Sequence, residues 1–239
     1  MVYVTMNKNY YFGLSLLMVL MTVLALVACH DDDEVKADQS YTSCPDNNHP
    51  HLIDLGLPSG TKWACCNMGA SSPEKFGVYY AWGEKGVKNK YSWDNYIYRV
   101  PDGTYPESFD IGSDIAGTQY DVAHAKWKGD WRMPTKAQCD ELRDNCSYRW
   151  TKMNDVNGFK FISKTNGGTI FLPATGYRLG DKIFNEDTNG HYWTSTLYKS
   201  NTSEAYSFLI WPDHPITSEA VRYGGHCIRP VLKRVTQGN

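Results

Sequence analysis

Four sets of residues in this 239-residue chain could do chemistry. The first is its seven cysteines, of which Cys227 directly follows His226. A thiolate beside an imidazole is the raw material of a cysteine hydrolase. Neighbours in a strand point to opposite faces, however, so this pair is not expected to meet. The second set is the histidines. His49-Pro50-His51 is the tightest grouping, and no Cys or carboxylate stands near it at ligand spacing. No two-by-two zinc pattern occurs. His49, His51, His124, His191, His214 and His226 all read as surface or turn residues, and no metal centre is expected. The third set is Asp110, Asp114 and Asp121, which share one stretch. They are a candidate structural Ca²⁺ loop that lacks the alternating ligands of an EF-hand. The fourth is aromatic: Tyr91, Trp93, Tyr96, Tyr98 and Tyr105 lie amid Asp, Asn, Gly and Pro. Rings on loops give large contact area at low entropy cost, which makes Trp93, Tyr96, Tyr98 and Tyr105 a candidate ligand surface. The competing reading, a loop folded back as a satellite core, takes slight precedence.

The totals narrow the setting. Net charge is −2 and the pI is near 6.4, so no basic excess exists to neutralise phosphates and nucleic acid is excluded as an expected partner. The N-terminus supplies an address. Lys8 precedes an uncharged apolar run from Phe12 to Ala28, slightly short of the roughly 20 residues that span a bilayer. This reads as a signal peptide over 1–28. The run ends in Leu26-Val27-Ala28-Cys29, which resembles the lipobox of bacterial lipoproteins and implies cleavage before Cys29 and its lipidation. Acyl chains, at about 0.8 kcal/mol per buried methylene, would hold the protein on a membrane surface. Asp31, Asp32, Asp33 and Glu34 follow at once. An acidic run there is similar to the surface-export signal of Bacteroidota lipoproteins; the bland alternative is a solvated spacer. Residues 29–43 are read as a flexible tether, 44–235 as one folded domain and 236–239 as a tail.

The folded part must position whatever site exists. Its clearest element is a helix opening at Trp131-Arg132-Met133-Pro134-Thr135. The residue before proline is held extended, Thr135 sits at the N-cap, and Gln138 completes the capping-box spacing. Cys139, Leu142 and Cys146 form the inward stripe, and the helix could run on to Arg149. Everything after it reads as strands and turns. Expected strands are Leu52–Leu55 with Lys62–Met68 as a hairpin, Gly77–Trp82, Gly158–Ser163, Thr169–Ala174, Tyr192–Leu197, Ala205–Trp211 and a closing segment Val221–Leu232. A second, short helix is expected at Asp121–Trp127, with Val122, Ala125 and Trp127 inward. Seven cysteines on an exported chain point to an oxidising compartment. Cys139 and Cys146, about 10 Å apart along one helix, are too far apart to bridge. Cys65 and Cys66 should face opposite ways. Cys66 paired with Cys146 or Cys139 would tie the hairpin to the helix, and buried free thiols are the alternative.

Several motifs in order carry a resemblance. They are Asp54-Leu55-Gly56-Leu57-Pro58-Ser59-Gly60-Thr61-Lys62-Trp63-Ala64, Tyr80-Ala81-Trp82-Gly83-Glu84, Trp131-Arg132-Met133-Pro134-Thr135, Phe171 to Arg178, Tyr192-Trp193-Thr194-Ser195-Thr196 and Ile228-Arg229-Pro230-Val231. From about residue 52 to 232 the chain resembles the Fibrobacter succinogenes major paralogous domain, similar in fold to C-type lectin-like domains and formylglycine-generating enzymes. The resemblance implies an α+β fold of short antiparallel sheets, one or two helices and long loops. It does not carry activity. The reactive cysteine pair of formylglycine-generating enzymes has no counterpart between Cys146 and Cys227. The Glu-Pro-Asn and Trp-Asn-Asp motifs of Ca²⁺-dependent lectins are missing too. The expectation is a lipid-anchored, surface-exposed, non-catalytic module without cofactor, binding an extracellular glycan or protein. An enzyme remnant and a surface-appendage subunit are the alternatives.

Overall fold

A computed structural model describes residues 52–100 and 108–233. All belong to one compact unit, Ser40–Asn239; the other unit, Met1–Gln39, lies outside the described residues. Outside them as well are Cys29, Asp31, Asp32, Asp33, Glu34, Cys44 and Tyr105, and with them the signal, tether and tail.

The architecture is α+β, with small antiparallel sheets and two helices among the described residues. Strands β1 (Leu52–Asp54) and β2 (Thr61–Ala64) form the expected hairpin, Leu52 opposite Ala64. Its turn is closed by Gly60 N–H donating to Leu57 O. The last strand, β12 (Val231–Lys233), inserts between β2 and β3 (Trp131–Arg132), so the chain's end is tied to the approach to the main helix. Helix α1 (Val122–Trp127) is capped by Asp121. Its buried residues are Val122 and Ala123 rather than Ala125, and Trp127 packs edge-on against Trp131 at 5.1 Å. Helix α2 (Lys136–Asn145) starts with the full capping box of Thr135 and Gln138 and buries Gln138, Cys139 and Leu142.

Helix α2 stops at Asn145, short of Arg149, and the next residue begins β4 (Cys146–Met153). The alternation Cys146, Tyr148, Trp150 already reads as strand. Eight register pairs with β5 (Val156–Ser163) outweigh another helical turn. The two hairpin residues, Asn154 and Asp155, both take positive φ, the geometry of the mirror-type turn that matches strand twist. Strand β6 (Thr169–Pro173) follows around Gly167 and completes the order β4-β5-β6. A two-stranded hairpin, β7 (Tyr177–Leu179) with β8 (Lys182–Phe184), comes next. Then β9 (Gly190–Leu197), β10 (Glu204–Ile210) and β11 (Pro215–Val221) make the third sheet, ordered β11-β10-β9.

Two expected strands are corrected. Gly77–Trp82 is extended but pairs with no single neighbour: Val78, Tyr80 and Trp82 donate in turn to the carbonyls of Met68, His226 and Arg222. In the closing segment only Val231–Lys233 is strand. Residues 222–230 turn inward, leaving β11 to cover β10. Two adjoining apolar clusters fill the interior. Trp63, Trp82, Trp131 and Trp193 are fully buried. The indoles of Trp82 and Trp193 donate to the carbonyls of Thr194 and Tyr80, as buried ring N–H groups require.

Candidate functional site

The sheet β9-β10-β11 has two unlike faces. Alternation turns Tyr192, Thr194, Phe208 and Thr217 toward α2, where Thr217 Oγ1 donates to Asp140 at 2.8 Å. The opposite face is built in cross-strand rows. One row is Trp193, Ser207 and Ser218. It is sealed by the 222–228 segment: His226 stacks on Trp193 at 4.0 Å and its Nδ1 lies 2.9 Å from Ser207 Oγ. The next row is His191, Leu209 and Ile216. This row lies at the rim of that cover, where rings come to the surface.

Those rings form a series. Phe184 stacks on Tyr177 at 5.5 Å; Tyr177 lies 4.6 Å from His191; His191 lies 6.4 Å from Trp211. The β7–β8 hairpin supplies the first two because its register sets Tyr177 opposite Phe184. The turn after β10 supplies Trp211, whose N–H donates to His214 O. Gly176 lets the hairpin enter: its φ is +60°, and a Cβ there would sit 2.2 Å from Phe184 O. Leu179, Phe184, Trp211 and Ile216 are each 37–40% exposed. Exposed apolar groups gathered in one patch mark a contact surface more often than chance scatter does.

His191 is the polar member. Burial pushes its imidazole down to about 4, and its Nε2 is buried with no partner among the described residues. It is therefore neutral at neutral pH and holds one unused ring nitrogen beneath the patch. His226 is driven well below its ordinary value, first by burial and then by His191 with its ring 5.2 Å away. The expectation that every histidine is a surface or turn residue is thus wrong for His226, which is 3% exposed, while His191 sits half-buried at the rim.

The Cys227/His226 pair does not form. The Cys227 thiol donates to Phe76 O, while His226 reaches Ser207 on the other side. Burial raises the Cys227 thiol above its ordinary range, so it stays protonated. Ser207 and His226 are themselves sealed from solvent.

The aromatic loop folds back. Tyr91 and Tyr96 are fully buried, and their hydroxyls donate to the carbonyls of Tyr79 and Trp82. Arg222, also buried, donates from Nε to the Tyr96 hydroxyl and lies 4.8 Å over Trp82. Tyr98 wedges between Tyr96 and Tyr120, and Trp93 packs edge-on to Tyr223. Tyr96 is therefore removed from the ligand surface, with Trp93 and Tyr98 only partly exposed. These two rings bury because the extended 77–82 segment offers carbonyls for their hydroxyls.

The three aspartates of the candidate Ca²⁺ loop all accept from backbone N–H groups. The Asp121 carboxylate accepts from the backbone N–H groups of Gly117, Ala123, His124 and Met133 at 2.8–3.1 Å, joining the α1 cap to the α2 approach. Asp110 and Asp114 accept from Gly112 and Ala116 in local turns. No group of three or more His, Cys, Asp or Glu gathers at metal distance among the described residues. No Cys66–Cys146 bridge is present: Cys146, like Cys139 and Cys227, is a buried free thiol. Cys146 belongs to the main core and Cys66 to a separate cluster with Cys65 and Ala70. Strand β2 ends at Ala64, so Cys65 and Cys66 are not forced apart, and their sulfurs lie 3.9 Å from each other.

The chain matches no protein-family model, no curated protein and no solved structure.

Proposed function

We propose that this chain is a lipid-anchored surface protein of the major paralogous, lectin-like type, and that its folded part is a non-catalytic interaction module. The anchor is Cys29, and Asp31, Asp32, Asp33 and Glu34 direct the module outward. The ligand is an extracellular glycan or protein held at the patch of Phe184, Tyr177, His191 and Trp211. One observation carries the reading: a series of four rings, two of them more than a third exposed, at the uncovered rim of the sheet. Sugars present apolar C–H faces and hydroxyls together. Stacked, partly exposed rings suit the apolar faces, as they suit a protein's apolar anchor. Neutral His191 keeps the patch uncharged, so binding is expected to depend little on salt.

Screening the purified protein against a glycan array and an extracellular-protein array tests the ligand claim. A hit is expected in one class, and silence in both ends the reading. Protease shaving of intact cells, with Cys29→Ala as control, tests the address. Loss of the wild-type protein is expected, and protection places the domain inside the envelope.

A further inference from the structure

The sheet β4-β5-β6 has one face turned to the core and one turned away from it. Its inward residues Phe159, Phe161, Ile170 and Leu172 join the core. Its outward face carries Arg149 directly opposite Lys160, with Phe171 on the far side of Lys160. Like charges set opposite one another across a ladder repel. Nothing in the sheet offsets them, since no Asp or Glu stands in any of its three strands. Glu74, next to the lining residue Pro73, is held by Ser72 and Asn154, and Asp155 stands in the β4–β5 turn.

A cavity of about 180 Å³ opens beside this cation pair, walled by Ile53, Pro73, Met153, Ile170 and Phe171. Lys160 is its one charged lining residue. An apolar cavity of about 150 Å³ accepts a benzene molecule, so this one has room for a single ring or a short alkyl chain. None of its lining residues belongs to the aromatic patch. An apolar pocket with one cation at its wall, a second cation beside that one and no acid in the sheet selects an apolar group that ends in an anion.

We propose that this cavity binds a small amphiphilic monocarboxylate, its ring or alkyl part against Met153 and Phe171 and its carboxylate on Lys160, with Arg149 adding attraction. A free acid and the C-terminal residue of a peptide share this chemistry; the free acid is the occupant proposed. The site stands independently of the proposed surface function.

Calorimetric titration of the purified protein with phenylacetate, 2-phenylethanol and acetate tests it. Phenylacetate is expected to bind with a dissociation constant of roughly millimolar order, and the other two at least about tenfold more weakly. Lys160→Gln should weaken phenylacetate about tenfold or more and leave 2-phenylethanol unchanged. Met153→Trp, which narrows the cavity from a partly exposed position, should weaken both. Near-ultraviolet circular dichroism matching the wild type shows that each variant is folded. Absence of saturable phenylacetate binding, or equal binding by folded Lys160→Gln, overturns the site. Binding of Gly-Gly-Phe more than about tenfold tighter than phenylacetate overturns the free acid in favour of a peptide C-terminus.

Discussion

Acid should loosen this fold through His191. The residue is held at about 4 by burial, against 6.5 when free. Between those values the unfolded chain binds a proton that the folded chain refuses. Stability from this group is therefore complete above pH 6.5, falls as pH drops toward 4, and falls no further below that. The difference corresponds to about 3 kcal/mol in full, and to about 2 kcal/mol already lost at pH 5. His226 adds to the loss in the same sense, since it too is kept below its ordinary value. Asp121 acts oppositely: burial raises its carboxyl, so protonation at low pH favours the folded state. The assay is urea unfolding at pH 7 and pH 5, for wild type and for His191→Phe. Phenylalanine keeps a ring against Tyr177 and cannot titrate. The wild type should lose at least about 2 kcal/mol between the two pH values, and His191→Phe should lose about 2 kcal/mol less than the wild type does. Equal acid losses in the two proteins would refute the reasoning and assign the pH dependence elsewhere.

Three further outcomes are expected. Asp121→Asn replaces one accepting oxygen by an NH₂ group facing backbone donors, and urea unfolding should show a loss of about 2–4 kcal/mol. Tyr96→Phe leaves buried Arg222 Nε without its 2.9 Å acceptor and should cost about 1–3 kcal/mol in the same assay while leaving array binding unchanged, because the ring is core and not contact surface. Cys139, Cys146 and Cys227 should resist a thiol reagent in the native protein and react only on unfolding; peptide mapping that finds a Cys66–Cys146 bridge would contradict the thiol assignment.

The parts legible in the sequence are those where local chemistry decides. Thr135 and Gln138 announced the start of α2, and Pro58-Ser59-Gly60 and Asn166-Gly167-Gly168 are turn-forming runs that suit the hairpins they close. The Asn154-Asp155 turn was equally available, and with it β4; the helical stripe ending at Cys146 masked it because that cysteine fits both periods. Strand β11 opens with Pro215 and is polar, so only its seat on β10 makes it a strand. Gly77–Trp82 alternates like a strand, yet its partners come from three distant segments. The patch was missed for a related reason. Aromatic residues clustered in sequence at 91–105 supplied the candidate ligand surface, with a folded-back satellite core slightly preferred, whereas Tyr177, Phe184, His191 and Trp211 are gathered only by the fold. Their one sequence signal is apolar residues at turns, Leu179-Gly180-Asp181 and Trp211-Pro212-Asp213, where polar ones are usual.

The measurement that tests the central claim most directly is array binding by the Trp211→Ala/Phe184→Ala double variant beside wild type and Trp93→Ala. Both altered patch residues are partly exposed, so the double variant should fold normally and lose binding about tenfold or more, while Trp93→Ala binds as wild type. Undiminished binding by the double variant would contradict the claim that the ring series over β9-β10-β11 is the contact surface.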